Sequence, residues 1–163
     1  MAIRTRVGQG FDIHRFVDGS SDRVLVLGGV KFPGEKPLAG HSDADVIAHA
    51  AADALLGAAA LGDIGMHFPD TDPQWAGADS LTLLAHVAQL VRNAGYEIGN
   101  VDCSIVCEKP KIAPHRETMQ KLLSDAAGAT ITVKGRRAEG LGALGREEGI
   151  ACWAVAVIER TQA

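Results

Sequence analysis

One aspartate and two histidines have the spacing of a metal site. Asp12 and His14 lie two residues apart in an alternating segment that predicts a strand, so both side chains leave from the same face. His49 lies in an Ala- and Leu-rich segment that predicts a helix. One carboxylate and two imidazoles suit Zn²⁺ and leave its fourth tetrahedral position open, as catalytic zinc sites require. Each signal is weak alone, because a single histidine on an apolar helix is more often a hydrogen-bonded structural residue.

The predicted start of the same helix could bind an anion. His41 and Ser42 lie where unpaired backbone N–H groups and the positive dipole end favour a group such as phosphate. Ser42 and Asp45, three residues apart, resemble a capping box. Ser42 also precedes His49 by two helical turns on one face. The sequence therefore places a candidate anion site and a candidate metal ligand on one helix.

The segment 62–73 follows this helix and contains Asp63, Asp70, Thr71 and Asp72 among turn-forming residues. Polar loops of this kind often carry the function of a small α/β domain. Asp and Pro are equally ordinary choices for a connection that caps helices, so both interpretations stay open. We assign no chemistry to His67, His86 and His115, nor to the three cysteines, which have no C-x-x-C pair and fit reduced core thiols.

The elements that must position these residues follow from hydrophobic periodicity. We predict strands over residues 3–14 and 24–27, the second ending at Gly28-Gly29, and a helix over 44–61. Helical spacing predicts two more helices around 84–91 and 119–126. Strands are predicted at 98–106, 129–133 and 150–158, and the last is expected to be central because it is apolar on both faces. The expected fold is one α/β (α+β) domain over residues 1–163, a sheet of mixed strands with helices on one face.

Composition limits the partners. The 163 residues include 26 Ala and 19 Gly but only seven aromatic residues, so a lone core would be thin and subunit association is expected. The formal net charge is −4 without a basic block, which argues against nucleic acid or an anionic membrane as partners. No apolar run approaches the ~20 residues of a membrane span. The first residues show no signal peptide, so we expect a cytoplasmic protein.

A set of motifs surrounds the candidate metal ligands. They are Gly10-Phe11-Asp12-Ile13-His14, Gly40-His41-Ser42-Asp43-Ala44-Asp45, Leu61-Gly62-Asp63-Ile64-Gly65, Phe68-Pro69-Asp70-Thr71-Asp72-Pro73 and Lys109-Pro110-Lys111-Ile112-Ala113-Pro114-His115. Together they resemble the 2-C-methyl-D-erythritol 2,4-cyclodiphosphate synthases, lyases that form a cyclic diphosphate in the non-mevalonate pathway of isoprene biosynthesis. The resemblance runs nearly end to end and is most specific up to Pro114.

The resemblance implies a homotrimer with active sites between subunits, each binding a CDP-linked methylerythritol 2-phosphate. It implies Zn²⁺ on Asp12, His14 and His49, with a phosphate oxygen as the fourth ligand. A second cation, Mg²⁺ or Mn²⁺, would bridge the substrate phosphates and meet Glu139. The substrate's 2-phosphate would attack the β-phosphorus and CMP would leave, so no protein nucleophile is needed.

The resemblance also implies which residues contact the substrate. His41 and Arg137 would be catalytic, with His41 and Ser42 on phosphate beside Asp12 and His14. The methylerythritol would be bound by Asp63, Ile64, Gly65, Phe68, Pro69, Asp70, Thr71 and Asp72. The cytidine would be bound by the adjacent subunit through Cys107, Glu108, Lys109, Pro110, Lys111, Ile112, Ala113, Arg136, Arg137, Ala138, Glu139, Ala143 and Arg146.

The sequence departs from the family pattern at two points. Arg137 stands where the family usually has a phosphate-contacting threonine; it could donate to phosphate or be a solvated surface residue, and both interpretations stay open. Glu147 stands where the family more often has glycine, near the end of a central trimer cavity that in relatives can hold an isoprenoid diphosphate. Two other functions compete with the cyclase: a metal-dependent phosphohydrolase with the same ligands, and a catalytically impaired trimeric isoprenoid-diphosphate binding protein.

Overall fold

The chain builds one four-stranded sheet, a small hairpin and a layer of helices. The computed structural model describes residues 3–161. The strands are β1 (Ile3–Arg15), β2 (Leu25–Leu27), β3 (Val30–Phe32), β4 (Glu97–Val106), β5 (Thr130–Arg136) and β6 (Gly149–Thr161). The helices are α1 (Val46–Ala59), α2 (Ile64–His67), α3 (Ser80–Asn93), α4 (Arg116–Ala127) and α5 (Gly142–Gly145), with 3₁₀ turns at Pro73–Trp75 and Ala113–His115.

The sheet is mixed, as predicted, in the order β1–β6–β4–β5. The β4–β5 pair is parallel, whereas β6 is antiparallel to both β1 and β4. The apolar run of β6 therefore lies in the sheet interior, which confirms its predicted central position. The strand predicted at 129–133 extends to Arg136, so Arg136, one of the predicted cytidine-binding residues, belongs to the sheet itself.

The helices cover one face of the sheet, as predicted. Helix α1 packs on β1, β6 and β4, α3 packs on α1, and α4 packs on β5. Alternate residues of β6, such as Cys152 and Ala154, are buried under these helices, while Trp153 and Val155 point to the other face and are 39% and 47% exposed. In the single chain, the face opposite the helices is therefore open and partly apolar.

Helix α1 begins differently from the prediction. Its N-cap is Asp45, whose side chain accepts hydrogen bonds from the backbone N–H groups of Ile47 and Ala48, so the expected cap at Ser42 was wrong. The buried Asp45 carboxylate also accepts from the N–H groups of Gly28 and Gly29, at 2.9 and 2.8 Å. An Asp at this position satisfies helix-start donors at short range, which frees Ser42 for another contact.

The sequence predicted the first strand of the β2–β3 hairpin but not the second. The sequence prediction ended the second strand at Gly28-Gly29, whereas the structure continues through these residues into β3. Both glycines have positive φ, 59° and 77°, as a tight two-residue hairpin turn requires. The Gly-Gly pair between two apolar segments was the available signal.

Two glycines of β1 let α1 approach the strand closely. A Cβ atom on Gly10 would lie 1.9 Å from the carbonyl oxygen of Ala50, and one on Gly8 would lie 2.1 Å from that of Ala54. The strand and the alanine-rich helix thus pack with almost no side-chain layer between them. This close packing explains much of the chain's small-residue composition and brings His49 beside the end of β1.

Replacing Gly10 by alanine should destabilise the protein by about 2–3 kcal/mol or more, because the added methyl group forces α1 away from β1. Thermal unfolding measures the effect. The matched control is Gly57→Ala in α1, where the new Cβ meets only the carbonyl oxygen of Gln9 at 3.7 Å. The control should be neutral or stabilising by about 0.5–1 kcal/mol, because alanine favours helix. Equal melting temperatures for wild type and Gly10→Ala would contradict the packing argument.

The remaining sequence predictions agree with the structure in outline. The two further helices are α3 and α4, and α4 ends at Gly128 in the left-handed conformation. The short helices α2 and α5 were not predicted, because segments of four residues carry little periodicity. Of the helices in residues 3–161, none combines the length and apolar character that a membrane span needs. The outer limits of the predicted 1–163 domain include residues 1, 2, 162 and 163, which lie outside the described part.

Candidate metal centre and active site

The three predicted metal ligands lie together. Asp12 and His14 extend from the helix-facing side of β1, and His49 extends from α1. Asp12 Oδ2 lies 3.1 Å from His14 Nε2 and 3.0 Å from His49 Nδ1. The possible ligand atoms of the three residues all lie within 4.8 Å of one another. Strand alternation and the close approach of α1 thus bring together two nitrogen donors and one oxygen donor, although Asp12 and His49 are 37 positions apart in the sequence.

Asp12 and His14 stabilise each other's charged forms. Burial would raise the pKa of Asp12, but the hydrogen bonds and charges of His14 and His49 outweigh burial and lower the pKa to about 2. Asp12 is therefore an ionised carboxylate at neutral pH. Burial would lower the pKa of His14, but the hydrogen bond and charge of Asp12 raise it above its ordinary value.

The outer ring nitrogen of His14 is fixed by the backbone. Its Nδ1 lies 2.6 Å from the carbonyl oxygen of Ala39. A carbonyl only accepts hydrogen bonds, so Nδ1 donates, and Nε2 is the nitrogen whose lone pair can bind a metal ion once it has given up the proton that it donates to Asp12. Metal-binding histidines generally have such a partner on the nitrogen that does not bind the metal. The donor set therefore fits a metal ion, and its two nitrogens and one oxygen match zinc.

A cleft of about 290 Å³ opens over these ligands. Six further predicted site residues line it, namely His41, Ser42, Ile64, Gly65, Phe68 and Asp70. The lining also includes Gly40, which begins one of the motifs quoted above, and Trp75 and Leu83, which the sequence did not single out. Trp75 packs edge-on against Phe68, with ring centroids 4.9 Å apart. Its position, two residues after the segment 62–73, was the available signal. Leu83 belongs to the apolar side of α3 and carried no such signal.

The loop between α1 and α3 caps helices, as one of the two interpretations predicted, and Ile64, Gly65, Phe68 and Asp70 of it line the cleft. Asp63 caps α2 through the N–H of Met66, and Asp72 caps the 3₁₀ turn through the N–H of Gln74. The carbonyl oxygen of Asp72 also accepts a hydrogen bond from His41 Nε2 at 2.9 Å, which ties the loop to the cleft. Substrate contacts of Asp63, Pro69, Thr71 and Asp72, which do not line this cleft, stay predictions.

The residues predicted to bind cytidine form a second, separate cleft. It measures about 400 Å³ and shares no lining residue with the metal cleft in the described part of the chain. All of Cys107, Glu108, Lys109, Pro110, Lys111, Ile112 and Ala113 line it, together with Arg116, Gly135, Arg136 and Arg137. Burial raises the pKa of Cys107 to about 11, and the charge of Glu108 adds to this effect. The thiol is therefore protonated and supplies no nucleophile.

Other predicted residues surround the second cleft without lining it. The N–H of Ala138 donates to Glu108 Oε1 at 2.6 Å. Glu139 is exposed and has a positive φ of 55°, and it is not a member of the Asp12–His14–His49 cluster. Ala143 belongs to α5, and Arg146 pairs with Glu148 at 2.7 Å. Within residues 3–161, the predicted metal ligands and the predicted cytidine-binding residues therefore line two clefts that have no lining residue in common.

The two departures from the family pattern have defined positions. Arg137 is exposed, and its Nε lies 3.9 Å from Glu108 Oε2 at the second cleft. Glu147 adopts a left-handed φ of 58°, a conformation for which glycine is the least strained choice. Lys109 Nζ lies 3.6 Å from Glu147 and offsets its negative charge.

Known proteins share both sequence and fold with the chain. The model of the YgbB family matches residues 5–159. The chain is 52% identical to 2-C-methyl-D-erythritol 2,4-cyclodiphosphate synthase from Geobacillus thermodenitrificans (strain NG80-2), over 97% of this chain and 99% of the relative. It is 54% identical to the protein of that name from Bacillus cereus (strain ATCC 10987 / NRS 248), over 95% of this chain and 98% of the relative.

Solved structures give the same result. The CDP complex of IspF from Plasmodium falciparum matches with a TM-score of 0.82 and 34% identity, over 97% of each chain. The bifunctional IspDF from Campylobacter jejuni matches with a TM-score of 0.91 and 36% identity, over 99% of this chain but only 44% of that longer one.

Proposed function

The chain belongs to the YgbB family, and we propose that it is a phosphorus–oxygen lyase that converts 4-diphosphocytidyl-2-C-methyl-D-erythritol 2-phosphate to 2-C-methyl-D-erythritol 2,4-cyclodiphosphate and CMP. One observation carries the proposal. The chain places Asp12, His14 and His49 together in the lining of one cleft. Relatives named as this synthase, which are more than half identical to the chain over nearly their whole length, support the same conclusion.

The reaction needs positioning and charge neutralisation. An oxygen of the 2-phosphate forms a new bond to the β-phosphorus, and the bond from that phosphorus to the oxygen of CMP breaks. Two phosphate groups of one molecule repel each other, so the site must hold the attacking oxygen in line and offset charge. No side chain has to become covalently attached.

The three predicted ligands Asp12, His14 and His49 would hold Zn²⁺. Glu139 would coordinate a second cation, Mg²⁺ or Mn²⁺. When bound, these cations would supply the positive charge that phosphate transfer requires. The chain's own residues orient the substrate. His41 and Ser42 line the metal cleft and would donate to phosphate, while Ile64, Gly65 and Asp70 would contact the methylerythritol. The second cleft, with the backbone of residues 107–113, would hold cytosine.

We further propose a homotrimer with active sites between subunits. The open face of the sheet supports this assembly, because Val7, Phe11 and Ile13 of β1 are 65%, 45% and 52% exposed, and Trp153 and Val155 of β6 lie beside them. Phe11 and Trp153 have ring centroids 5.0 Å apart and form a continuous aromatic surface. Association would cover this surface and could join the two separate clefts of neighbouring chains.

An isoprenoid diphosphate in a central cavity of the trimer is a further expectation of the family resemblance. The partly apolar face supports it, and the charge of Glu147 opposes it. Geranyl or farnesyl diphosphate should produce heat on titration and raise the melting temperature; a titration with neither effect would remove this partner. A cytoplasmic location likewise stays a prediction.

Arg137 is proposed to donate to a substrate phosphate. Arg137→Ala should lower CMP release by about 10- to 100-fold, the loss expected for a hydrogen bond between charged groups. Arg137→Thr should restore part of that loss, because its hydroxyl can also donate. Lys121→Ala removes an exposed cation on α4 and serves as the control. Unchanged or improved turnover in Arg137→Ala would show that Arg137 is a surface residue.

Product analysis tests the function. The wild-type enzyme with the CDP-linked substrate should release CMP and the cyclic diphosphate in equal amounts without orthophosphate, and a chelator should stop the reaction. Orthophosphate as the product would instead identify a metal-dependent phosphohydrolase. Isoprenoid-diphosphate binding without CMP release would identify the impaired binding protein.

A further inference from the structure

A chain of hydrogen bonds lies at the ring nitrogen of His49 that does not face Asp12. The Ser80 hydroxyl oxygen lies 2.8 Å from His49 Nε2. The same hydroxyl donates to Asp43 Oδ1, and the backbone N–H of Ser80 donates to Asp43 Oδ2 at 3.0 Å. Ser80 is 1% exposed, so no solvent competes for its hydroxyl.

The direction of these bonds follows from donor counting. An ionised carboxylate only accepts, so the single hydroxyl proton of Ser80 goes to Asp43. The Ser80 oxygen can then present only lone pairs to His49, which requires a proton on His49 Nε2. A metal-bound imidazole is neutral and keeps one ring proton, so with the metal bound His49 Nδ1, which lies 3.0 Å from Asp12 Oδ2, is the nitrogen that carries the lone pair.

We infer that Asp43 and Ser80 are positioning residues that hold His49 in the tautomer whose Nδ1 binds the metal. This inference rests on the metal site of the proposed function. It gives His49 the same arrangement as His14, whose outer nitrogen donates to the carbonyl of Ala39. With the metal bound, both histidines then keep their proton on the outer ring nitrogen and present the inner nitrogen to the metal.

Ser42 is the other hydroxyl near His49 Nε2, at 3.1 Å. Ser42 lines the cleft, where its proposed partner is a substrate phosphate. Ser80 lies behind the ring at the start of α3, and Asp43 fixes it there through both backbone and side chain. Ser80 therefore keeps His49 in place whether or not Ser42 is engaged with substrate.

The test compares zinc affinity in Ser80→Ala and wild type by competition with a chromogenic chelator. Ser80→Ala should bind Zn²⁺ about tenfold more weakly, at the low end of the usual 10- to 100-fold effect of such partners, because Ser42 can still accept from His49. Ser80→Thr keeps the hydroxyl and should bind close to wild type. The matched control is Ser124→Ala, which removes a half-buried hydroxyl bonded to Ile131, remote from the cleft, and should not change zinc affinity.

A spectroscopic measurement reports the tautomer directly. In the ¹⁵N spectrum of zinc-loaded wild type, His49 should show a protonated Nε2 and a metal-bound Nδ1. In Ser80→Ala, the Nε2 proton should exchange faster with solvent. A proton on Nδ1 in the wild type, or equal zinc affinity and proton exchange in Ser80→Ala, would overturn the inference. Failure of the wild type to bind one zinc per chain would instead overturn the metal site itself.

Discussion

Replacing His49 by alanine is expected to remove bound zinc and to lower CMP release by about 10³-fold or more, equivalent to about 4 kcal/mol of transition-state stabilisation. His49 supplies one of the two imidazole donors, and its Nδ1 lies 3.0 Å from the Asp12 carboxylate. Without it the cluster loses both a ligand and part of the interaction that lowers the pKa of Asp12. Metal analysis and a CMP-release assay on the same preparation measure both effects.

His86→Ala is the matched control for this change. His86 is an exposed histidine of α3 that contacts Phe68 but does not line the metal cleft. It should keep one zinc per chain and near wild-type turnover. The metal assignment would be contradicted if His49→Ala retained zinc and turned over within about tenfold of wild type.

Placing a charge on the open face of the sheet is expected to prevent assembly and to lower activity by at least about 100-fold. Val155 is 47% exposed on β6, beside the aromatic pair Phe11–Trp153. In an assembled protein, Val155→Glu would bury a carboxylate without a partner, which costs several kcal/mol for each subunit. Light scattering or sedimentation should show a single chain instead of three, with the helical signal retained.

The structure offers a close control for this variant. Val24 is 42% exposed but lies before β2, outside the open face, so Val24→Glu makes the same chemical change elsewhere. It should stay assembled and active. An active, assembled Val155→Glu would show that the open face of the sheet is not a subunit interface.

The metal ligands could be predicted from the sequence because each follows from a local rule. Strand alternation places Asp12 and His14 on one face, and an alanine-rich helix without proline places His49 at a known distance from its start. What the local rules could not give is how closely α1 approaches β1. That distance depends on Gly8 and Gly10. In the sequence, these two glycines look the same as glycines that form an ordinary turn.

The surroundings of the ligands were harder to predict. Ser42 looked like a helix cap, but Asp45 satisfies the helix donors and Ser42 contacts His49. Ser80 lies 31 residues from His49 and touches it only because α1 and α3 pack together. No spacing along the sequence predicts a contact of this kind between two helices. The contact depends on the three-dimensional packing of the two helices.

The division into two clefts also lay beyond local patterns. The motif at residues 107–113 and the motif around His41 belong to one chain, yet among residues 3–161 they line separate clefts with no lining residue in common. The proposed union of these clefts in one active site therefore depends on assembly. The expectation of a shared active site came from the family resemblance. Composition alone predicted only that subunits would associate.

Co-expression of two inactive variants tests the shared active site most directly. His49→Ala damages the metal half, and Glu139→Ala damages the nucleotide-side half. Each variant alone should be inactive, whereas randomly mixed trimers should recover about a quarter of wild-type CMP release, because about one site in four combines two unmodified halves. Activity in the mixture no higher than the average of the two separate variants would contradict an active site shared between subunits.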